Sequence, residues 1–411
     1  MKDALAALAA GLDDGADLLA QLEGPFARCV RQHPRRGQLS GWGSLTPLPW
    51  HAAGFSHGVE IDPGTRLDYH TGVAYPQDGA SQIPVLALSP QPGEVVVDAC
   101  AAPGSKSTQI GLALGDTGLL LCLDLSPQRR RVLVENLARQ GVCCGVVCPV
   151  PIGRLAGMHP GCADAVLVDA PCSGHQSRSP KQTAREGRRQ LRLLGDAAGL
   201  VRAGGRMVYS TCAPYREENE DVISAFLAAH PGWQLEPVQL PGTDVDLDGL
   251  GALRMWPQRQ GTEPFFACRL RAPGDAPRAS LAGDMPAAEL DARIPEALHC
   301  WRRGTVRLLA SPAVASCAIP SEARGIIFDR GEGGGNSELE PWAAQALIER
   351  GADAHTVSHA EACALWAGDD LQSPGPARGL VRTEHGAPLG QLEASGTRLR
   401  LPSRMRRSAL V

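Results

Sequence analysis

The sequence predicts an α/β protein with a doubly wound, mostly parallel sheet. Between residues 94 and 235 it contains short segments that are apolar almost throughout, such as LLLCLDL and DAVLVDAP. A helical stretch follows most of these segments. Strands that are apolar on both faces and alternate with helices are typical of a parallel sheet covered on both sides. The carboxyl ends of such strands share one edge of the sheet, where ligands bind.

Five segments are predicted as the strands of this sheet and four stretches as its helices. The strands are EVVVDAC (94–100), LLLCLDL (119–125), CGVVCPV (144–150), DAVLVDAP (164–171) and RMVYSTC (206–212). The helices lie near residues 106–114, 127–140, 185–201 and 217–229. Two later segments, GWQLEPV and EPFFACRLRA, are predicted to complete the sheet as an antiparallel edge. The α/β domain is therefore placed at residues 76–272.

A small region precedes this domain and another follows it. Residues 1–75 begin with an amphipathic helical pattern over 4–22 and continue into a segment rich in Pro, Gly and Trp. Residues 273–289 have the composition of a linker. Residues 290–411 are predicted as a small separate C-terminal domain, which is β-rich because it ends in short strand-like pieces.

The composition is that of a soluble globular protein, since 43% of the 411 residues are hydrophobic and 20% are charged. No apolar run reaches the ~18 residues that cross a bilayer, and the first residues carry acids rather than the basic start of a signal peptide. We therefore expect a cytoplasmic protein without a membrane partner. The 13 cysteines lack framework spacing and predict free thiols. Cys143, Cys144 and Cys148 are not spaced like a zinc site, and no metal is expected.

The loop after the first strand, DACAAPGSKS, has the properties of a ligand-binding loop. Ala101, Ala102 and Gly104 leave the backbone bare, and the next helix offers N–H donors and the positive end of its dipole. The loop matches neither the dinucleotide nor the phosphate-loop pattern, and an amino-acid-like or sulfonium ligand suits it. Asp124 ends the second strand, where an acid can bind both hydroxyls of a ribose. The alternative is that Asp124 caps the helix beginning at Pro127.

Two cysteines stand at the ends of neighbouring strands. Asp169 and Cys172 end the fourth strand in VLVDAPCSG, and Cys212 ends the fifth in MVYSTC. Both thiols are expected at the edge that carries the ligand loop, where helix N-termini favour the nucleophilic thiolate. A thiolate that adds to carbon 6 of cytosine makes carbon 5 able to attack a methyl sulfonium. Asp169 would hydrogen-bond or protonate the base at N3, and a second cysteine could assist release.

Residues 45–235 resemble the RNA cytosine-5 methyltransferases of the Nol–Nop–Sun family. The family's order is followed by PLPWHAAGF, GVAYPQDGASQIPVLALSPQPGE, DACAAPGSKSTQ, LDLSPQRRRVLVENLARQG, VLVDAPCSG and GGRMVYSTCAPYREENE. The resemblance implies a class I methyltransferase sheet of seven strands, S-adenosyl-L-methionine (SAM) as cofactor and a small RNA-binding region in front. The C-terminal segment GLVRTEHGAPLGQLE is similar to a β-rich RNA-binding tail of some bacterial members.

The resemblance also assigns roles to residues. Cys212, in the Ser-Thr-Cys motif, corresponds to the nucleophile, and Cys172, in Pro-Cys-Ser, to the cysteine that assists release. DNA cytosine methyltransferases use the Pro-Cys position as nucleophile, so the two roles could be exchanged. The predicted catalytic residues are Cys212, Cys172 and Asp169. The predicted cofactor-binding residues are Cys100, Ala101, Ala102, Pro103, Gly104, Ser105, Lys106, Asp124 and Asp169.

The segment after the third strand departs from the family's pattern. Family members have an acidic or Asn-Asp pair near the adenine, whereas this chain has CGVVCPVPIGRLAG, without an acid. Two interpretations are open: apolar contacts and backbone groups hold the adenine, or cofactor affinity is reduced.

Arginine-rich clusters are candidates for RNA contact in a chain whose net charge is −4. The residues predicted to bind RNA phosphates are Arg178, Lys181, Arg185, Arg188 and Arg189. The alternative is an exposed arginine-rich helix face. A second cluster is Arg28, Arg31, Arg35 and Arg36, and a third is Arg398, Arg400, Arg404, Arg406 and Arg407. Because only 4% of the residues are aromatic, we expect electrostatic docking plus one flipped-out base rather than stacking.

The sequence therefore predicts a monomeric enzyme that makes 5-methylcytosine in RNA through a covalent cysteine–carbon 6 adduct. Ribosomal RNA is favoured over transfer RNA as the substrate. The alternative is a non-catalytic RNA-binding or ribosome-assembly factor that kept the fold, motivated by the altered third strand. A methyltransferase for a protein or a small molecule is the third hypothesis, and it would not need two strand-end cysteines.

Overall fold

The computed structural model describes most of the chain. The described residues are 2–58, 61–175, 179–245, 249–288, 294–303, 306–319, 321–330, 341–350, 354–367, 371–372, 379–395 and 398–400. The helices are α1 (Lys2–Ala10), α2 (Gly15–Leu22), α3 (Leu67–His70), α4 (Ile83–Leu88), α5 (Ser105–Leu114), α6 (Pro127–Arg139), α7 (Ile152–Met158), α8 (Pro180–Ala198), α9 (Glu220–Ala229), α10 (Pro257–Gln260), α11 (Pro312–Ala315), α12 (Pro341–Glu349) and α13 (His359–Ala367).

The strands form four sheets. They are β1 (Arg28–Gln32), β2 (Leu45–Leu48), β3 (His51–His57), β4 (Ala74–Pro76), β5 (Val95–Asp98), β6 (Leu119–Leu123), β7 (Gly145–Cys148), β8 (Ala163–Asp169), β9 (Val201–Thr211), β10 (Gln234–Leu235), β11 (Asp244–Val245), β12 (Leu253–Met255), β13 (Phe265–Arg271), β14 (His299–Arg303), β15 (Val306–Ala310), β16 (Ala323–Arg324), β17 (Ile326–Arg330), β18 (Ala354–Val357), β19 (Leu371–Gln372), β20 (Gly379–Thr383), β21 (Pro388–Ser395) and β22 (Arg398–Arg400).

The central sheet has the order β11-β12-β13-β9-β8-β5-β6-β7-β16, and β10 also pairs with β13. Strands β7, β6, β5, β8 and β9 are parallel, and β13 pairs antiparallel with β9. The predicted α/β fold with a mostly parallel sheet is confirmed. Seven strands have three or more residues, and the two-residue strands β10, β11 and β16 bring the described sheet to ten.

The N-terminal region forms its own sheet, in the order β2-β3-β1-β4. The helical pattern over residues 4–22 forms two helices, because the chain turns between α1 and α2. Gly15 explains the turn: a Cβ at this position would lie 1.9 Å from the carbonyl oxygen of Ala9. Only glycine lets the two helices approach so closely.

The residues after 272 pack onto the α/β domain. Strand β16 pairs antiparallel with β7 and so extends the central sheet. Leu281, Trp301 and Leu308 lie in the same hydrophobic core as Val97 and Val166 of the central strands. Further sheets, β14-β15-β17 and β18-β20-β21-β22-β19, complete this region together with α12 and α13. The segment predicted as a linker, 273–289, therefore contributes to the core, and the C-terminal region does not stand apart.

An ionic seam joins the three parts of the chain. It consists of His33, Arg35, Arg36, Asp116, Glu349 and Arg350. The Glu349 carboxylate of α12 accepts hydrogen bonds from Arg36 Nε at 2.7 Å and from Arg35 Nε at 2.8 Å. Arg350 Nη2 binds Asp116 Oδ1 at 2.6 Å. The side chains of Arg36 and Glu349 are fully buried, whereas that of Arg35 is exposed, so the seam extends from the interior to the surface.

The carboxyl ends of β5, β6, β8 and β9 share one edge of the central sheet, because these strands are parallel neighbours. This edge is called the catalytic edge below, since it carries the residues predicted from the sequence to do chemistry. In the part of the chain that the structure describes, no helix combines the length and the apolarity needed to span a bilayer.

Candidate active site

The loop that follows β5 is shaped by the carboxyl group of Asp98. Asp98 is buried at the strand end and accepts hydrogen bonds from Ser107 Oγ at 2.7 Å and from Cys100 N at 3.4 Å. Burial raises the pKa of Asp98 to about 6. Gly104 has a φ of 113°, a conformation that strains any residue with a side chain. Asp98 and Gly104 therefore fix the turn between β5 and α5.

A cavity of about 450 Å³ lies beside this loop at the catalytic edge. Cys100 and Asp124 line it, as predicted for cofactor-binding residues, and so does Leu125. Seven other residues predicted to bind the cofactor are not part of the lining, namely Ala101, Ala102, Pro103, Gly104, Ser105, Lys106 and Asp169. The loop thus meets the cavity through its first residues only.

Asp124 sits at the end of β6 with its carboxylate turned to the following loop. Its Oδ1 accepts a hydrogen bond from Ser126 N at 2.9 Å, and its Oδ2 lies 3.2 Å from Arg129 Nη1. Ser126 is the N-cap of α6, since its Oγ accepts a hydrogen bond from Arg129 N. The capping role considered for Asp124 is therefore filled by Ser126.

The wall formed after β7 is apolar, consisting of Val150, Pro151 and Ile152. An acid reaches the cavity from another element, because Asp196 of α8 lines it as well. A Cβ on Gly153 would lie 2.9 Å from Asp196 Oδ2, so glycine makes room for this carboxylate. Sequence reasoning missed Asp196, since only the packing of α8 against α7 brings it to the cavity.

The two strand-end thiols lie together. The Sγ atoms of Cys172 and Cys212 are 2.9 Å apart, and both residues are half-buried. The hydrogen bond between the sulfurs lowers the pKa of Cys172 and raises that of Cys212, because Cys172 as thiolate accepts the proton that Cys212 keeps. Elsewhere burial raises the pKa of thiols, as for Cys122 and Cys144. The pair is therefore a place where a thiolate can form.

Lys106 links the loop to the strand that leads to Cys172. Its Nζ lies 2.7 Å from Asp169 Oδ2, while Asp169 Oδ1 accepts a hydrogen bond from Ser210 Oγ at 2.8 Å. The Nζ atom is also 5.2 Å from the centroid of the Phe265 ring. Burial alone would lower the pKa of Lys106, but the Asp169 carboxylate raises it, with a smaller contribution from Cys212. The ammonium group thus binds the Asp169 carboxylate and also interacts electrostatically with Cys212.

A buried polar network lies beside Cys172 and was not identified from the sequence. Glu218 accepts a hydrogen bond from Ser173 N at 3.0 Å, and Gln190 Nε2 donates to Glu218 Oε2 at 2.8 Å. The sequence offered one signal, the acidic run REENE that follows Cys212. It could not reveal the partner of Glu218, because Ser173 is 45 residues away.

The first half of α8 presents basic residues to solvent. Four of the residues predicted to bind RNA, Lys181, Arg185, Arg188 and Arg189, are exposed there, and the fifth, Arg178, lies outside the described residues. Arg189 also lines the cavity, together with Arg192. Within this group Arg185 pairs with Glu186 at 2.9 Å. The structure thus places the basic helix next to the candidate cofactor site, and RNA contact stays a prediction.

The basic cluster predicted near the N-terminus is wrong as a surface cluster. Arg36 is buried in the ionic seam, and Arg31 is buried with its Nε donating to Gln77 Oε1 at 2.9 Å. Only Arg28 and Arg35 of this cluster are exposed. In the C-terminal cluster, Arg404, Arg406 and Arg407 lie outside the described residues. Within the described ranges, no three or more His, Cys, Asp or Glu side chains are grouped so as to hold a metal ion.

Comparison with known proteins identifies relatives. A family described as "16S rRNA methyltransferase RsmB/F" matches residues 85–271. The chain is 34% identical over 285 residues to "Ribosomal RNA small subunit methyltransferase F" of Klebsiella pneumoniae, covering 62% of this chain and 59% of that protein. It is 32% identical over 292 residues to "tRNA (cytosine(49)-C(5))-methyltransferase" of Pyrococcus abyssi, covering 64% of this chain and 93% of that protein.

A solved structure agrees with these relatives. The "Methyltransferase Homolog Protein" from Pyrococcus horikoshii superposes with a TM-score of 0.59 at 26% identity, covering 65% of this chain and 94% of that one. The chain spans about three fifths of the length of the bacterial relative named above. The similarity to the archaeal proteins extends over nearly their whole length.

Proposed function

Because the chain belongs to the Nol–Nop–Sun family of RNA cytosine-5 methyltransferases, we propose that it makes 5-methylcytosine in RNA with SAM as methyl donor. The observation that carries the proposal is the 2.9 Å separation of the Cys172 and Cys212 sulfurs at the catalytic edge. Cys172 follows β8, which is paired with β5, and Cys212 follows β9, which is paired with β8. A protein or small-molecule methyltransferase would not need such a pair.

The cavity has the size and the chemistry that SAM requires. Its volume of about 450 Å³ is within the usual range for small-molecule sites. Asp124 offers a carboxylate to the ribose hydroxyls, Leu125 and Ile152 offer apolar surface to the adenine, and Asp196 offers an acceptor to its amino group. The backbone around Cys100 would hold the amino-acid part. When bound, SAM supplies an electrophilic methyl group.

Cys212 is proposed as the nucleophile that adds to carbon 6 of the cytosine. The two sulfurs are too close for a base to lie between them, so an entering cytosine must separate them. Separation removes the hydrogen bond that raises the pKa of Cys212. The ammonium group of Lys106, whose pKa Cys212 helps to raise, then favours the thiolate of Cys212 by charge.

Asp169 is proposed to hold the cytosine at N3 while the ring takes up charge. Both of its oxygens already accept hydrogen bonds, one from Lys106 and one from Ser210. These contacts fix the orientation of the carboxylate at the end of β8. A hydrogen bond donated by Asp169 to N3 requires its carboxyl group to be protonated; N3 takes up this proton as the thiolate adds to carbon 6 and returns it to Asp169 when the thiolate is expelled.

Cys172 is proposed to assist release. After transfer, the proton on carbon 5 must leave with its bonding electrons staying in the ring, which restores the 5,6 double bond and expels the Cys212 thiolate. Its sulfur lies beside that of Cys212, so its thiolate is placed to act as the proton acceptor. A Cys172→Ala variant should therefore stall after methyl transfer and accumulate a covalent protein–RNA adduct on a denaturing gel.

Ribosomal RNA is the proposed substrate, supported by the description of the matching family and by the bacterial relative. The archaeal relative, whose name specifies a transfer RNA, supports the other choice. Incubation of the protein with SAM and either ribosomal or transfer RNA, followed by mass spectrometry of the nucleosides, distinguishes them. Formation of 5-methylcytosine in neither RNA, or no binding of SAM by isothermal titration, would favour a non-catalytic RNA-binding factor and overturn the proposal.

A further inference from the structure

We propose that Glu218 and Gln190 are positioning residues that hold Cys172 for the release step. The proposal rests on the proposed function for its chemistry, because release matters only if a cysteine–cytosine adduct forms. Its geometric part, that the two side chains fix the backbone around Cys172, stands independently. Glu218 lies outside the lining of the cavity proposed for SAM, whereas Gln190 is part of it, so variants at Gln190 are compared with wild type at saturating SAM.

The two side chains bind the peptide groups on both sides of Cys172. Glu218 accepts hydrogen bonds from Ser173 N at 3.0 Å and from Ser173 Oγ. Gln190 Nε2 donates to the carbonyl oxygen of Pro171 at 3.1 Å and to Glu218 Oε2 at 2.8 Å. Pro171 and Ser173 flank the cysteine directly, so the segment is fixed before and after its reactive residue.

The same network is tied to the strand that carries Cys212. Tyr209 of β9 donates its hydroxyl both to Gln190 Oε1, at 3.1 Å, and to the backbone oxygen of Glu218, at 2.5 Å. Tyr209 is buried and stands three residues before Cys212. The position of one sulfur relative to the other is therefore set through Gln190, Glu218 and Tyr209.

Burial of Glu218 carries a cost that points to a role. Glu218 is fully buried, and among the described residues no cationic side chain pairs with it. Burial raises the pKa of Glu218, while the hydrogen bonds from Ser173 and Gln190 lower it again. A buried carboxylate without a cation is unfavourable unless donors surround it. Here each of those donors belongs to the Cys172 segment or to the helix beside it.

Loss of this acceptor should leave attack and methyl transfer in place but slow release. Glu218→Gln replaces one carboxylate oxygen by an amide nitrogen that cannot accept, so either Ser173 Oγ or the two donors Ser173 N and Gln190 Nε2 lose their acceptor. The segment from Pro171 to Ser173 then moves, and Cys172 no longer faces the adduct. Glu217→Gln, a change at the neighbouring half-exposed glutamate, is the matched control.

The first test follows single and multiple turnovers with SAM and substrate RNA. Glu218→Gln should transfer the first methyl group within about threefold of the wild-type rate, lower steady-state turnover about tenfold or more, and accumulate adduct as Cys172→Ala does. Gln190→Met, which keeps the side-chain length and loses the donor to Pro171, should show the same pattern. Wild-type turnover without adduct in both variants would overturn the proposal.

The second test needs no RNA and separates this proposal from the proposed function. In a Cys212→Ser background, alkylation of Cys172 by iodoacetamide is followed by peptide mass spectrometry, and Glu218→Gln should increase its rate several-fold. The buried thiols of Cys122 and Cys268 report unfolding and should stay protected. Equal rates in Glu218→Gln, Gln190→Met and Glu217→Gln contradict the positioning role. Faster alkylation of Cys172 in Glu218→Gln, together with no 5-methylcytosine formation by the wild-type protein, would retain the positioning role and reject the proposed function.

Discussion

Glu218 at the catalytic edge and Glu349 in the ionic seam are both buried glutamates, yet their surroundings differ. Glu218 accepts hydrogen bonds from neutral donors, and burial raises its pKa. For Glu349, burial would also raise the pKa, but the guanidinium groups of Arg36 and Arg350 and the neighbouring His33 lower it to about 2. Neutral hydrogen-bond donors stabilise the Glu218 carboxylate, and cationic side chains stabilise the Glu349 carboxylate.

The two kinds of contact have different consequences: those of Glu218 orient a segment, and those of Glu349 attach one region of the chain to another. Hydrogen bonds from neutral donors depend on angle, so the contacts of Glu218 fix how the Cys172 segment faces its partner. Charges act over longer distances and in all directions, so Glu349 can draw together arginines from the N-terminal region and from the end of α12. We therefore expect changes at the catalytic edge to affect reaction steps and changes in the seam to affect stability.

The largest effect is expected for Cys212→Ala. Without the proposed nucleophile, methyl transfer should fall roughly a thousandfold or more, since nothing else adds to carbon 6. The thermal midpoint should stay within a few degrees of wild type, because the Cys212 side chain is only half-buried. Transfer is measured by incorporation of labelled methyl groups into RNA. Retained transfer in this variant, with loss in Cys172→Ala, would mean that the roles of the two cysteines are exchanged.

Glu349→Gln should lower the stability of the fold and leave methyl transfer nearly unchanged, which is the opposite of the result expected for Cys212→Ala. It leaves the buried guanidinium group of Arg36 without its counter-charge, which typically costs about 3–5 kcal/mol of unfolding free energy. Denaturant titration measures the loss, and Glu135→Gln at an exposed position of α6 is the control. First-turnover methyl transfer under stabilising conditions should remain close to wild type. An unchanged midpoint would show that the seam does not attach the C-terminal region.

Low pH should destabilise the fold by protonating the Glu349 carboxylate. Because the pKa of Glu349 in the folded protein, about 2, is below the ordinary glutamate value of 4.5, the ionised form stabilises the fold fully above pH 4.5. This stabilisation, about 3 kcal/mol by linkage, is lost as the pH falls from 4.5 towards 2. Unfolding free energies measured across that range should decrease more steeply for wild type than for Glu349→Gln. If the unfolding free energies of the two proteins decreased equally with falling pH, Glu349 would not be the source of the acid sensitivity.

The smallest effect is expected on the basic face of α8. Arg188→Ala should weaken RNA binding a few-fold and reduce the slope of log affinity against log salt by about one, as for loss of one phosphate contact. Filter binding at several salt concentrations measures both quantities. Arg131→Ala, at an exposed position of α6, is the matched control and should change neither. Equal effects of the two variants would favour the alternative of a solvated helix face.

Much of the central sheet and of the thiol pair could be predicted from the sequence. Apolar strands such as VVVD and VLVD indicate burial on both faces, and parallel neighbours end at one edge by geometry. Cys172 and Cys212 follow β8 and β9, which are adjacent in the sheet, so their proximity follows from strand order. Asp124 at the end of β6 lies in the cavity for the same reason.

The remaining features depend on packing between distant segments. Arg36 belongs to an arginine-rich stretch that is typical of a surface, but its partner Glu349 lies 313 residues later and buries it. Asp196 reaches the cavity only through the position of α8 beside Gly153. The attachment of β16 to β7 involves two residues with no recognisable strand pattern. Sequence periodicity identifies helices and strands, but it does not identify contacts between residues that are far apart in the chain.

Strand β16 connects the residues after 272 to the sheet that carries the proposed active site. A fragment ending near residue 272 would contain every residue assigned to catalysis, yet it would leave the outer N–H and C=O groups of β7 without their partner strand. Such an open border can recruit other chains and promote aggregation. During synthesis β16 can reach β7 only after residues 323–324 have left the ribosome, so the central sheet is completed after the residues proposed for catalysis have emerged.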